Sequence, residues 1–168
     1  MTEEIQKKKI YVIVHSLGNQ ILVDALQQAA LSKVSLNISE LVMAAPDVDK
    51  DVFMSKAAQI KSVAGNITMY VSSADKALLA SDEKAWGTRM VYIDANGPNL
   101  VDGVETIDVT AVGDDMFGLN HSTFSGSRSV LDDLGRLIVS STHPPGVRSP
   151  TLRFMPDKVH TKYWMYPQ

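Results

Sequence analysis

The sequence predicts an α/β fold, an open and mostly parallel sheet with flanking helices. Two observations predict it. Short runs rich in β-branched residues alternate along the chain with segments of helical periodicity. The first two runs, residues 9–14 and 40–45, are almost continuously apolar, as strands covered on both faces are. No linker, repeat or low-complexity segment divides the 168 residues, so we expect a single domain over residues 1–168.

Each element follows from a local pattern. The predicted strands cover residues 9–14, 40–45, 67–72 and 104–109. Apolar residues recur at helical spacing between and after them. The predicted helices cover residues 17–29, 53–64, 76–85 and 130–138. Gly65 is expected to stop the second helix.

Two stretches are predicted to lack regular structure. Residues 87–103 contain an Asn-Gly-Pro turn signal and read as a loop. Beyond Ser140 the chain is rich in Pro and Arg and closes on a Tyr-Trp-Met-Tyr run. We expect an irregular tail from about 141 to 168 that lies over the domain.

Composition excludes several classes of function. Lys and Arg total 16 against 19 Asp and Glu, a formal charge of −3, so we expect no nucleic acid and no anionic membrane as partner. The absence of Cys excludes disulfides, thiolate zinc sites and cysteine nucleophiles. The N-terminus lacks the apolar stretch of a signal peptide, and no run approaches the ~20 residues that cross a bilayer. We expect a soluble, cytoplasmic protein.

The junction between the first strand and the first helix reads His-Ser-Leu-Gly-Asn at residues 15–19. A Ser at such a junction, with Gly two residues later, is the sequence form of a nucleophile elbow, whose strained turn pushes the hydroxyl clear of the sheet. The positions two before and two after Ser16 must be small, because strand and helix nearly touch there. Gly18 meets this demand and Val14 meets it poorly. The alternative interpretation is that Ser16 only caps the helix.

A nucleophilic Ser needs a base, and the base needs an orienting acid. The loop after the third predicted strand supplies Asp75, and the loop after the fourth supplies His121. The order Ser16, Asp75, His121 is that of the hydrolase triad, and each group follows a strand directly. The Leu17 N–H, at the start of the helix, would hold the oxyanion.

Other interpretations of these residues stay open. Asp75 could be only a helix cap, and His121 only a surface residue. Asp47, which follows the second strand, is the fallback acid. His143 and His160 are weaker candidates for the base, and His15 is rejected because it points away from Ser16 across the turn.

Residues 47–51 superficially suggest a calcium loop, but they lack its obligatory Gly and its bidentate Glu. They read better as a helix N-terminus that favours carboxylates. Since the sequence has neither a Gly-rich phosphate loop nor an HExxH metal motif, we expect no cofactor.

With these motifs the sequence resembles a bacterial family of α/β-hydrolases that was long catalogued as a domain of unknown function. The resemblance runs from about Ile10 to the Tyr-Trp pair at 163–164. It implies a serine hydrolase with Ser16, Asp75 and His121 on the triad positions. The blocks that carry it are Val14-His-Ser-Leu-Gly-Asn19, Ala44-Ala-Pro-Asp-Val-Asp49, Tyr70-Val-Ser-Ser-Ala-Asp-Lys-Ala-Leu78, Thr106-Ile-Asp108 and the loop from Gly118 to His121.

The chain also departs from the family pattern. In the α/β-hydrolase fold the nucleophile follows roughly the fifth of eight strands, and here it follows the first, which implies a reduced fold without the N-terminal strands. The missing part normally brings the second oxyanion donor, so we expect a substitute: a side chain such as Asn19, a bound water or a neighbouring subunit. The first strand would also keep one bare edge, and we expect a homo-oligomer that covers it.

The sequence is consistent with two functions from different classes. The first is a carboxylesterase that cleaves short-acyl or small esters through an acyl-enzyme, since a reduced fold has little material for a lid or an acyl tunnel. The alternative is a catalytically weak hydrolase that acts as a binding or assembly domain. Thioester or amide cleavage by the same triad is not separated from ester cleavage by the sequence.

Overall fold

The computed structural model describes residues 8–73, 88–94, 97–112, 124–156 and 162–167. The strands in these ranges are β1 (Ile10–His15), β2 (Ile38–Ala44), β3 (Ala64–Val71), β4 (Ile93–Asp94), β5 (Gly97–Pro98), β6 (Glu105–Asp108), β7 (Arg153–Pro156) and β8 (Lys162–Met165). The helices are α1 (Gly18–Leu31), α2 (Lys50–Val63), α3 (Phe124–Ser140) and α4 (Pro145–Arg148), and a 3₁₀ turn covers Thr110–Val112.

Six strands form one open sheet in the order β1-β2-β3-β6-β8-β7. All neighbours are parallel except β7, which runs antiparallel to β8 at one edge. The predicted open, mostly parallel sheet with flanking helices is confirmed. Because β1, β2, β3 and β6 run in one direction, their carboxyl ends lie next to one another at one end of the sheet. Residues from separate loops can converge there.

The sheet has an apolar core on each face. Alternation along β2 sends Leu41 and Met43 into one buried cluster and Val42 into the other. Residues of α1 and α2 cover the first cluster, and residues of α3 cover the second. The continuous apolar run at 40–45 therefore marks a strand that is covered on both sides. For the run at 9–14 that expectation is wrong, because β1 has no fully buried residue and its Ile13 is 48% exposed.

Helix α2 begins as the carboxylates of residues 47–51 predict. Asp49 is its N-cap, and the Asp49 side chain accepts a hydrogen bond of 3.0 Å from the Val52 N–H. Asp51 follows in the first turn, where the helix dipole favours negative charge.

The expected stop at Gly65 is wrong. Helix α2 ends at Val63, and β3 begins at Ala64 with no turn between them. Gly65 lies inside the strand, where an added Cβ would lie 2.9 Å from the Ser39 carbonyl oxygen. Glycine is needed here because the backbones of β2 and β3 approach closely, not because a helix must end.

The predicted loop at 87–103 contains more structure than its turn residues indicate. β4 and β5 form a short antiparallel pair, and Met90 and Val91 are buried in the two cores. The predicted irregular tail is likewise wrong for its described part. It contains α4, and β8 pairs in parallel with β6 while β7 closes the edge.

The predicted helix at 76–85 lies outside the described residues. Among the helices that the structure describes, none has both the length and the apolar character needed to cross a bilayer. That residues 1–168 form a single domain stays a prediction.

Candidate active site at the carboxyl end of the sheet

Ser16 occupies a strained turn between β1 and α1. Its φ is +50°, in the left-handed region that costs a non-glycine residue about 1–2 kcal/mol. The Ser16 N–H donates to the Ala44 carbonyl at 2.9 Å, so the turn is tied to the carboxyl end of β2. Residues held in such conformations cluster at active sites, and a strained Ser between strand and helix has the geometry of a nucleophile elbow.

Free backbone donors lie next to Ser16 at the N-terminus of α1. The first turn is tight: the Asn19 N–H donates to the Ser16 carbonyl at 3.0 Å and the Gln20 N–H to the Leu17 carbonyl at 3.1 Å. Within the described part of the chain, the N–H groups of Leu17 and Gly18 donate to no backbone acceptor. Two such donors at the positive end of a helix favour a negative charge beside the Ser16 hydroxyl.

The bulky Val14 fits the elbow because position 18 has no side chain. A Cβ placed on Gly18 would lie 3.1 Å from Cγ2 of Val14, tighter than ordinary van der Waals contact. The predicted demand for small residues on both sides of Ser16 is therefore met by Gly18 alone.

Asn19 cannot serve as the second oxyanion donor. Its side chain is 0% exposed, and its Nδ2 donates to the carbonyl oxygens of Ser16 at 2.8 Å and Ala44 at 3.3 Å. Both amide protons are committed to backbone acceptors under the elbow. That expectation of the sequence is wrong, because the amide turns inward to satisfy buried carbonyls.

Asp75 and His121 lie outside the described residues, so the triad geometry stays a prediction. The strands that precede them, β3 and β6, are two and three positions from β1 in the sheet, about 10 and 14 Å away at their carboxyl ends. Just past these ends, the Ser73 N–H donates to Oγ1 of Thr110 at 3.0 Å. The chain thus leaves β3 and β6 at neighbouring points, at the same end of the sheet as Ser16.

Comparison with protein families matches residues 1–140 to a family described as an alpha/beta hydrolase of unknown function (DUF900). The match covers most of the chain and agrees with the parallel sheet and its flanking helices. The chain belongs to this family. No curated protein and no solved structure was found to match it. Membership indicates a hydrolase and leaves the bond that it cleaves open.

In this alpha/beta hydrolase Asp47, the fallback candidate for the triad acid, forms an ion pair with Arg89. The Asp47 carboxylate lies 3.3 Å from Nε of Arg89, and both side chains are mostly buried. The Asp47 carbonyl oxygen also accepts from Nε2 of Gln20 at 2.8 Å, which ties the segment after β2 to α1. Arg89 comes from the stretch predicted as a loop, and no local signal in the sequence indicated the pair.

His143 lies at the wrong end of the sheet to act on Ser16. Its Nδ1 is 2.8 Å from Glu105 Oε2, and its Nε2 is 3.2 Å from Glu40 Oε2. Glu105 is the first residue of β6 and Glu40 lies near the start of β2, so this group marks the amino ends of the strands. His143 is excluded as the base, and His160 lies outside the described residues.

Among the described residues of this alpha/beta hydrolase, the strongest pKa shifts belong to a buried cluster between the sheet and α3. Burial raises the pKa of Tyr70 far above its usual range, and the Asp133 carboxylate, to which the hydroxyl donates, raises it further. Burial alone would lower the pKa of Arg148, but Asp133, 3.0 Å from Nε, and Tyr70 together outweigh burial and raise the pKa. These groups join β3, α3 and α4, so their role is structural. Among the described residues, no three His, Asp or Glu side chains are arranged to hold a metal ion.

Proposed function

We propose that this alpha/beta hydrolase is a serine carboxylesterase that cleaves small or short-acyl esters. One observation carries the proposal: Ser16 is held at a φ of +50° between a parallel strand and a helix, beside backbone N–H groups with no backbone acceptor in the described residues. A Ser that only capped α1 would accept a hydrogen bond from the first turn. Leu17 is the N-cap instead, and no side chain caps the helix.

The reaction follows from this arrangement together with the triad that the sequence predicts. Ser16 Oγ attacks the ester carbonyl while His121 accepts its proton and Asp75 orients the imidazole. The Leu17 N–H and the positive end of α1 stabilise the oxyanion of the tetrahedral intermediate. Collapse expels the alcohol, which takes the proton from His121. Water, deprotonated by His121, then attacks the acyl-enzyme, and the acid leaves as Ser16 regains its proton.

The surface beside Ser16 supports small substrates. Leu17 is 58% exposed and Ile21, one helical turn later, is 75% exposed. They offer an open apolar surface to an acyl group on this side of the site. A short acyl chain can bury most of its apolar surface against these two side chains. The added length of a longer chain would stay in water and gain no further binding energy.

A series of nitrophenyl esters of increasing acyl length tests the proposal. We expect turnover with an optimum at short chains, and a fall in kcat of at least about 10³-fold in Ser16→Ala and His121→Ala. Ser55→Ala is the matched control, because Ser55 lies on α2 and its hydroxyl donates to the Val52 carbonyl of the same helix. Hydrolysis that survives in Ser16→Ala would overturn the nucleophile, and an optimum at long chains would point to a lipase.

A further inference from the structure

Asn19 has an unusual position for an amide side chain. It is 0% exposed in the first turn of α1, and burial of an amide is costly without hydrogen bonds. Its Nδ2 makes two such bonds, to the carbonyls of Ser16 and Ala44. The backbone N–H of Asn19 also donates to the Ser16 carbonyl, so that oxygen receives two donors from one residue.

Holding the Ser16 carbonyl also fixes the Leu17 N–H. The two groups belong to one planar trans peptide and point in opposite directions. The hydrogen bonds from Asn19 fix the direction of the Ser16 carbonyl. The Leu17 N–H therefore points the opposite way, away from Asn19. Hydrogen bonds to the oxygen of a peptide also polarise the N–H of that peptide, which makes it a stronger donor.

The peptide on the other side of the Ser16 Cα is held as well. The Ser16 N–H donates to the Ala44 carbonyl at 2.9 Å, and the Asn19 amide reaches the same oxygen at 3.3 Å. The Asn19 amide thus bonds directly to the peptide after Ser16, and it shares the Ala44 carbonyl at the end of β2 with the N–H of the peptide before Ser16. A strained φ persists only where its surroundings over-determine it, and here Asn19 and the Ala44 carbonyl supply that constraint together.

We propose that Asn19 is a positioning residue of the site. Its buried amide keeps Ser16 in the left-handed conformation and aims the Leu17 N–H at the point where the oxyanion develops. The inference rests on the proposed function, since it gives this amide a part in ester hydrolysis. Asn19 acts through Ser16 and Leu17 and touches no substrate.

Rate constants normalised to the number of active sites distinguish a positioning role of Asn19 from a merely structural one. In Asn19→Ala we expect kcat for a short nitrophenyl ester to fall about 10- to 10²-fold, less than when an oxyanion donor is removed outright. We expect KM to change little and the affinity for a trifluoromethyl ketone, which forms a tetrahedral adduct, to fall in parallel. Titration of active sites by the burst of nitrophenol corrects for any misfolded fraction.

Gln20→Ala is the matched control. It removes an amide-to-carbonyl hydrogen bond of the same length from the next residue of α1, but that bond goes to Asp47 and not to Ser16. We expect a comparable loss of stability with kcat unchanged. Asn19→Ser serves if Asn19→Ala does not fold, because a helical Ser hydroxyl reaches the carbonyl three residues back. An intermediate kcat is expected there.

The outcomes are distinguishable. Wild-type turnover with an unchanged kcat per active site in both Asn19 variants would overturn the positioning role and leave the proposed function standing. A rise in KM alone would also overturn it, because the residue would then act on substrate binding. Absence of turnover in the wild type would remove the proposed function and, with it, the catalytic meaning of Asn19.

Discussion

At the scale of single residues, the contact between positions 14 and 18 sets the shape of the elbow. A Cβ on Gly18 would lie 3.1 Å from Val14 Cγ2. We expect Gly18→Ala to lower the free energy of unfolding by about 1 kcal/mol, since overpacking forces a shift of neighbouring atoms. Urea denaturation measures it.

The double mutant isolates the cause. In a Val14→Ala background the overlap is gone, and Ala favours a helix more than Gly does, so Gly18→Ala should there be neutral or stabilising. The expected coupling energy is therefore about 1 kcal/mol or more. Equal costs in both backgrounds would show that the contact is not what excludes a side chain at position 18.

The position of Ser16 could be predicted from sequence because its signal is local: a buried strand, a Ser, and a Gly before a helix. The inward-facing amide of Asn19 could not, because its second acceptor is the Ala44 carbonyl, which belongs to another strand. The same holds for His143, whose carboxylate partners come from the starts of β2 and β6. Side-chain partners across the sheet follow from register, which no single segment encodes.

At the scale of elements, a buried ion pair joins α3 to α4. Asp133 and Arg148 have no exposed side-chain surface and lie 3.0 Å apart. We expect Arg148→Met to lower the free energy of unfolding by about 3–5 kcal/mol, because it leaves a buried carboxylate without its counter-charge. Adding Asp133→Leu should recover part of the loss in a urea titration. A cost below about 1 kcal/mol in the single variant would contradict the account.

Tyr166 predicts how stability depends on alkaline pH. Burial, together with the charge of Asp133, raises the pKa of Tyr166 from 10.0 to about 12. The folded state therefore holds the proton more tightly than the unfolded chain does. The stabilisation is complete below pH 10 and is lost as the pH rises towards 12.

The measurement is the free energy of unfolding between pH 9 and pH 12 in wild type and Tyr166→Phe. The variant should lose less stability across this range, although its hydrogen bond to the Ser129 carbonyl is gone at every pH. Parallel curves for the two proteins would show that Tyr166 does not contribute to the alkaline slope.

Sequence predicted β1, β2, β3 and β6 and missed β7 and β8 for a physical reason. The predicted strands carry runs of β-branched and other apolar residues, which indicate a strand whether or not both faces are covered: β2 is buried on both faces, and β1 has no fully buried residue. β7 and β8 have four residues each, and their stability comes from pairing with each other and with β6. The Pro and Arg content of residues 141–168 predicts an irregular segment, so the composition gave no indication of this pairing.

At the scale of the whole molecule, β1 lies at one edge of the sheet that the described residues form. Among the described residues it pairs only with β2, and Ile13 on it is 48% exposed. An apolar strand with an open edge is a template for pairing with another chain. We expect a homo-oligomer that covers β1, visible by light scattering at micromolar concentration.

Ile13→Lys should shift this assembly towards the monomer, because a charge at the open edge opposes strand pairing. Val139→Lys is the control, since Val139 is 88% exposed on α3, far along the chain from β1. A wild-type protein that is a monodisperse monomer would refute the prediction, and equal effects of both substitutions would move the interface away from β1.

The whole fold brings the carboxyl ends of its parallel strands to the edge where Ser16 lies, and the central claim is that this hydroxyl is a nucleophile. Intact mass after incubation with a fluorophosphonate probe tests it most directly, with peptide mapping to locate the adduct. The account predicts one probe per chain on Ser16 and none on Ser16→Ala. A folded wild-type protein that takes up no probe would contradict it and would favour a binding or assembly domain.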